Sequence, residues 1–288
     1  MENVQQSPEK YLLSEYENQR IFEEEIVPVE FGNLLSVNNP SVHYFGAQPG
    51  AGKSAVLATI RQALTEQDGI SSVASVIGDN FRAYHPNFSD LMEESDDLAA
   101  FYTDRDSGRW VEQAIVHTLQ VKSHVILEGT LRNPQVTLNT AAQYQAGGFD
   151  QEMHILVVHE FVSRLRIFER YLAQVKDKGS GRYTVTEAHN RAYAALPLSL
   201  KVIAESGLFN RITLYNALGS VLFRTDGTDD TFPALETVLM SERSGDNLDF
   251  ESLIAKAKQL TMYAKQVSKP RIIDDLARLT EEIHRFSR

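Results

Sequence analysis

Cysteine is absent from this 288-residue chain, which excludes a disulfide framework and any thiolate metal site. Positive charge is in short supply: 28 Lys and Arg against 39 Asp and Glu leave a formal net charge of -11. A phosphate backbone would be repelled on average, so neither a nonspecific nucleic-acid surface nor a membrane surface is expected. A local arginine cluster can still hold a small polyanion. No apolar run is long enough to span a bilayer, and the acidic, polar N-terminus does not read as a secretory signal, so the expected location is cytoplasmic. No histidine pair has metal-ligand spacing supported by carboxylates, which argues against zinc or iron. Repeats and low-complexity tracts are also missing. What is present is 42% hydrophobic residues, enough for one sizeable α/β core and an appendage.

The chain is organised around His43-Tyr44-Phe45-Gly46-Ala47-Gln48-Pro49-Gly50-Ala51-Gly52-Lys53-Ser54, an apolar strand that enters a glycine-rich loop and opens a helix at Lys-Ser. This is the composition of a phosphate-binding loop. Small residues let successive backbone N–H groups turn inward around a triphosphate, and the helix aims the positive end of its dipole at the same anions. Gln48 to Ser54 would cradle ATP or GTP, with Lys53 on the β- and γ-phosphates and the Ser54 hydroxyl on Mg²⁺. In the pattern GxxxxGK[ST] the first glycine falls at Ala47, with Gly46 one place early. Alanine can hold that position if its φ is negative.

Around the loop the elements alternate. Ser7-Pro8 and the apolar positions from Leu12 to Phe22 predict a capped helix that ends before Pro28. Short apolar runs at 72–77, 124–127 and 153–158 predict buried parallel strands, which deliver Asp79 and Glu128 to the C-terminal edge where α/β sheets bind ligands. Ser107 is placed as the cap of a helix through Trp110 and Leu119, with the polar stretch 90–106 before it as a variable loop. Pro134 starts a helix that Gly147-Gly148 stops, and Phe161, Leu165, Phe168 and Leu172 mark one face of another, with Arg166 and Arg170 opposite. Lys176 to Arg182 has the composition of a mobile lid. Thr186 is placed as the cap of a helix towards Gly207, 211–215 and 221–223 as a hairpin or a closing strand pair, and Phe250 to Arg288 as helices divided by Pro270. The expected architecture is an α/β, P-loop NTPase-like kinase fold: a parallel sheet flanked by helices, with residues 1–240 forming the kinase domain, a lid near 176–184, and a helical extension over 241–288.

Phosphoryl transfer needs a cradle, a metal, neutralisation of the transferring charge and a group that deprotonates the acceptor. Asp79 suits the last role, although Gly78-Asp79-Asn80 is also good turn composition. Arg170 and Arg182 are candidates to close over the γ-phosphate, with Arg164 and Arg166 near enough in sequence to be confused with Arg170. Glu128, Thr130 and Arg132 point at the same ligand-binding edge. Glu128 reads equally as a magnesium-shell carboxylate or a substrate acceptor. His85, beside Pro86, has the setting of a structural histidine.

Taken in order, these segments resemble the zeta toxins of bacterial toxin–antitoxin systems, P-loop kinases acting on UDP-N-acetylglucosamine. The resemblance runs through Gln48 to Ser54, Asp79-Asn80-Phe81-Arg82 with His85-Pro86-Asn87-Phe88, Gly108-Arg109-Trp110-Val111-Glu112, and Ile126 to Arg132. It continues in Glu169-Arg170-Tyr171, Arg182 followed by Ala188-His189, Gly207-Leu208-Phe209 and Leu214-Tyr215-Asn216, covering about residues 42 to 225. It implies that Asp79 is the base for the 3′-hydroxyl of the amino sugar and that Lys53, Arg170 and Arg182 bind and neutralise the transferring phosphate. It implies a UDP-sugar site that includes Phe81, Arg82, His85, Glu112, Glu128, Thr130 and Arg132. It also implies a small helical antitoxin that obstructs the nucleotide site, and a product that starves peptidoglycan synthesis. Val185, where the family has proline, departs from the pattern. Two other readings use the same residues: a P-loop kinase for another small hydroxyl-bearing metabolite, and a nucleotide-dependent switch without acceptor chemistry.

Overall fold

The computed structural model describes residues 7, 9–94, 96–179, 181, 183–225 and 232–287. In chain order the elements are α1 (Glu15–Ile21), a π-helical continuation (Phe22–Phe31), β1 (Ser41–Gly46), α2 (Lys53–Asp68), β2 (Val73–Val76), α3 (Gly78–Phe81), α4 (Phe88–Glu94), α5 (Asp96–Val121) and β3 (His124–Gly129). They continue as α6 (Pro134–Ala146), β4 (Asp150–Leu156), α7 (Glu160–Lys178), α8 (Thr186–Glu205), β5 (Arg211–Tyr215), β6 (Val221–Arg224), α9 (Phe232–Ser244), α10 (Phe250–Gln266) and α11 (Pro270–Phe286). The strands belong to one six-stranded sheet in the order β2-β3-β1-β4-β5-β6, mostly parallel and flanked by helices, as the alternation of elements predicts. β2 pairs parallel with β3 (Val73 opposite His124) and β4 with β5 (Glu152 opposite Arg211), while β6 returns antiparallel to β5.

By packing, the chain forms two compact units, one of Met1–Tyr44, Thr59–Glu128 and Gln143–Asp150, the other of Phe45–Ala58, Gly129–Ala142 and Gln151–Arg288. In the first, Ser14 rather than Ser7 caps the N-terminal helix, its hydroxyl accepting from the Glu17 amide at 3.1 Å. The selection is tertiary: the Leu13 amide just before the cap donates to the buried Asp106 carboxylate, which also accepts from Asn18 and Arg109. The helix does not stop before Pro28 but widens into the π-helical segment and carries the proline within it. Gly32 follows because a Cβ there would lie 2.5 Å from the Pro28 carbonyl oxygen. Nor does Ser107 cap a helix. It lies inside α5, where its hydroxyl bonds back to the Asp104 carbonyl at 3.1 Å, and the stretch expected as a variable loop is α4 and the first turns of α5. Leu91, Ala99 and Tyr102 form a small buried cluster there that the surrounding acidic residues disguise in sequence.

In the second unit Met153, Ile155 and Leu156 of β4 are fully buried, as strands covered on both faces must be, although β4 begins three residues before the expected start. Thr186 opens α8 with Val185, not itself, at the cap. The apolar face of α7 meets α10 and α11 in a cluster of Phe161, Leu165, Phe168, Leu172, Leu260, Leu276, Leu279 and Ile283. Burying Leu276, Leu279 and Ile283 completely is worth about 1.5–3 kcal/mol each, so the divided C-terminal helices are part of this core.

Candidate active site

Each small residue of the loop has a local cause. A Cβ on Gly46 would fall 2.1 Å from the Leu131 side chain, so the last strand position is glycine because Leu131 occupies its space. Ala47 is fully buried, and among the described residues positive φ outside glycine occurs at Lys122, Leu131 and Ser268, so Ala47 keeps the negative φ that lets alanine replace the motif glycine. Gly50 (φ 80°) and Gly52 (φ 101°) are left-handed. A Cβ on Gly50 would also lie 2.0 Å from the Ser163 carbonyl oxygen, and one on Gly52 would lie 2.9 Å from Arg166 Nη1.

Side chains from α7 and α8 hold the loop from behind. Gln48, fully buried, donates from Nε2 to the Val158 carbonyl at 2.7 Å and to Ser163 Oγ at 3.4 Å. Ser163 Oγ lies 2.8 Å from His189 Nε2, and His189 Nδ1 lies 3.0 Å from Asn190 Oδ1. Burial pushes His189 down to about 4, with Arg164 and Arg243 adding and the Asn190 bond opposing. The ring is therefore neutral: Nδ1–H donates to Asn190 and Nε2 accepts from the serine hydroxyl. Arg166 donates to the Ala51 carbonyl from Nη1 and to the Ala217 carbonyl from Nη2, both at 2.9 Å. One turn further along α7, Arg170 Nη2 donates to Thr184 Oγ1 at 3.1 Å.

At the start of α2, Lys53 is half-buried with Nζ 3.5 Å from the Ala47 carbonyl, a marginal contact, and Ser54 beside it is exposed. Thr130 and Arg132 are joined by an Arg132 Nε to Thr130 Oγ1 bond of 3.0 Å. Between them Leu131 (φ 52°) is pinned by the Ser199 hydroxyl, which donates to its carbonyl at 2.6 Å. The second unit thus carries the whole loop with Thr130, Arg132, Arg166 and Arg170. Arg164 is not part of this set, since its guanidinium is buried against Glu282 and Glu160. Arg182 lies outside the described residues.

The first unit carries Asp79, Phe81, Arg82, His85, Glu112 and Glu128. Asp79 is exposed in the short turn of helix after β2, and its Oδ1 accepts from Arg82 Nε at 3.2 Å. Arg82 is fixed in turn by the Ala100 carbonyl at 2.7 Å, Thr103 Oγ1 at 3.1 Å and Asp104 at 2.5 Å. Phe81 is fully buried, its ring 6.3 Å from that of Phe31. The His85 side chain is also wholly buried: Nδ1 accepts from the Asn87 amide, which leaves Nε2–H facing the Tyr11 carbonyl at 3.2 Å and Asp106 at 3.3 Å. Both side chains are thus closed off from solvent beside the exposed Asp79. Glu112 is exposed on a groove of about 690 Å³ between the N-terminal helices and α5, and Glu128 is half-buried near the end of β3.

Sequence reasoning missed Asp106, to which Leu13, Asn18, His85 and Arg109 all converge. Burial alone would raise its carboxyl, but the bonds from His85, Arg109 and the Leu13 amide outweigh that and hold it low. It also missed the support given by Ser163 and Arg166. The only signal for these was their spacing on one helix with Arg170.

Loop, sheet and flanking helices define a P-loop protein with a kinase-like fold. The family model described as Zeta toxin matches residues 31–228. Toxin zeta of Streptococcus agalactiae is 32% identical over 217 residues, 74% of each chain. This chain belongs to the zeta toxin family. Among solved structures, one from the PezAT chromosomal toxin–antitoxin system of Streptococcus pneumoniae aligns with a TM-score of 0.71 at 19% identity, covering 90% of this chain and 98% of that one. A complex described as AvrRxo1-ORF1:-ORF2 with ATP aligns at 0.55 and 11% identity, covering 94% and 90%.

Proposed function

We propose that this chain is an ATP-dependent kinase, with GTP as the alternative donor, that phosphorylates the 3′-hydroxyl of the amino-sugar unit of UDP-N-acetylglucosamine or a related UDP-sugar. In this reading it is the toxin of a toxin–antitoxin system, and its product blocks peptidoglycan synthesis. The observation that carries the proposal is the phosphate loop braced by Gln48, Ser163 and Arg166, in a chain of the zeta toxin family.

Asp79 takes the proton from the acceptor hydroxyl as its oxygen bonds to the γ-phosphorus, and the bond from that phosphorus to the bridging oxygen of ADP breaks. Lys53 and Arg170 neutralise the charge on the transferring group, with Arg182 proposed alongside them. Arg82, Glu112, Glu128, Thr130 and Arg132 bind the UDP-sugar. The residues fit a nucleotide–Mg²⁺ pair: left-handed Gly50 and Gly52 keep the cradle free of side chains, and the exposed Ser54 hydroxyl is the proposed Mg²⁺ ligand. Bound Mg²⁺ would supply further positive charge against the phosphates. A small helical antitoxin that obstructs the nucleotide site is the proposed partner. Support comes from the neighbouring structures, one from a toxin–antitoxin system and one a two-protein complex. Purified toxin–antitoxin pairs that bind ATP as well as the toxin alone would rule out obstruction.

Incubation with ATP, Mg²⁺ and a panel of UDP-sugars, free sugars and nucleosides, read by mass spectrometry, tests the reading. It requires one phosphoryl group gained by UDP-N-acetylglucosamine or a close relative. A gain confined to another acceptor would make the chain a different small-molecule kinase, and ATP turnover with no phosphorylated acceptor would make it a switch.

A further inference from the structure

α7 has two working faces. One carries Arg166 and Arg170, and the opposite face packs on α10 and α11, which lie beyond the matched family region that ends at residue 228. The chain leaves α7 through Gly179, a left-handed cap whose amide bonds the Val175 carbonyl at 2.9 Å. Gly181 then passes so close that a Cβ would lie 2.7 Å from the Tyr171 carbonyl oxygen. Tyr183 lies on the same C-terminal core. Its ring centroid is 5.8 Å from that of Phe168 and 5.4 Å from that of Tyr171, the Arg271 guanidinium stands 5.5 Å over it, and its hydroxyl donates to Asp275 Oδ2 at 2.9 Å. Asp275 is held on its other oxygen by Arg278. The next residue, Thr184, accepts from Arg170.

We infer that α11 orients Arg170 for phosphoryl transfer through Asp275, Tyr183 and Thr184, so that Tyr183 and Asp275 are positioning residues contributed by the C-terminal helices. The inference rests on the proposed kinase reading for its consequence, but not for its geometry. A guanidinium is useful to a transferring phosphate only if its fork is aimed before the reaction, and α7 alone fixes its Cα, not its direction. Asp275 fixes the Tyr183 hydroxyl, the ring fixes the backbone of the adjacent residue, and the Thr184 hydroxyl accepts from Nη2.

The test uses the full chain with Tyr183→Phe, Asp275→Asn and the double variant. Lys256→Ala, which breaks the exposed Lys256–Glu169 pair between α10 and α7, is the control. In single-turnover transfer from ATP to UDP-N-acetylglucosamine, each single variant should lose about 10-fold in rate, because misplacement of about 1 Å can cost up to about 100-fold. ATP affinity should change little. The double variant should lose no more than either single, and the control should match wild type. In protein labelled with ¹⁵N-arginine, the Arg170 Nε–H resonance, assigned with Arg170→Lys, should move in both single variants and stay in the control. Wild-type rates with an unmoved resonance would overturn the inference, as would losses that add or a control that falls equally. If the wild type phosphorylates no acceptor, the kinase reading fails, and the Arg170 resonance alone decides whether α11 orients that side chain.

Discussion

Ser163 Oγ lies 2.8 Å from His189 Nε2, and the same hydroxyl faces Gln48 of the phosphate loop at 3.4 Å. The serine therefore stands between a buried histidine and a buried amide, so its removal leaves His189 Nε2 without this partner and Gln48 Nε2 with its Val158 bond. Ser163→Ala should lower unfolding free energy by about 1–3 kcal/mol, the range for leaving a buried polar group unsatisfied, and weaken ATP binding. Urea unfolding and nucleotide titration on the same variant check both. A variant as stable as wild type would mean the hydroxyl does not support the loop.

Gly50 and Ala47 make opposite demands of alanine. Gly50→Ala places a Cβ 2.0 Å from the Ser163 carbonyl oxygen at φ 80°, so the loop must distort; backbone strain of this kind costs about 1–3 kcal/mol, and ATP affinity should collapse. Ala47→Gly restores the motif glycine where φ is already negative, so no strain opposes it; glycine's extra backbone freedom costs about 0.5–1 kcal/mol of stability, and ATP affinity should fall by no more than about fivefold. Calorimetric titration with ATP separates the two.

His159 and His189 are both pushed from 6.5 down to about 4, first by burial, with nearby arginine charge adding. The unfolded chain then binds more protons than the folded one between these values. Stability should be flat above about pH 6.5 and fall as pH drops towards 4, with a slope of up to about 1.4 kcal/mol per pH unit for each ring. Denaturant unfolding at several pH values checks the sign, and His189→Gln should reduce the slope. Stability that rises on acidification through this window would contradict the buried, neutral assignment.

The loop was legible because three signals coincided: an apolar strand, glycines and Lys-Ser at the head of a helix. The order of strands and helices was equally plain, since buried parallel strands are short apolar runs, and Pro134, Gly147-Gly148 and Pro270 mark helix ends by chemistry that needs no tertiary partner. What sequence could not choose was between equal local candidates. Ser7 has the chemistry of a cap, but Asp106 holds the Leu13 amide and the cap falls on Ser14. Ser107 looks like a cap until Tyr102 and Ala99 are seen to be buried, which extends α5 upstream. Among the arginines of α7, only the fold separates Arg164, paired with Glu282, from Arg166 on the loop carbonyls and Arg170 on Thr184.

Asp79 and Lys53 should fail differently. Asp79→Asn keeps a side chain able to meet Arg82, so ATP binding should persist while transfer falls by ~10²–10⁴, the usual contribution of a general base. Lys53→Ala removes the loop's cation and should lose ATP affinity as well as turnover. Comparing ATP titration with single-turnover rates distinguishes them, and an Asp79→Asn enzyme at wild-type speed would end its assignment as base.

The most direct test of the central claim is a ³¹P–¹H correlation spectrum of UDP-N-acetylglucosamine after reaction with the wild-type chain, ATP and Mg²⁺. The account predicts a new phosphorus resonance coupled to the proton at position 3 of the amino sugar. Coupling to any other sugar position, or consumption of ATP with the sugar nucleotide unchanged, would contradict it.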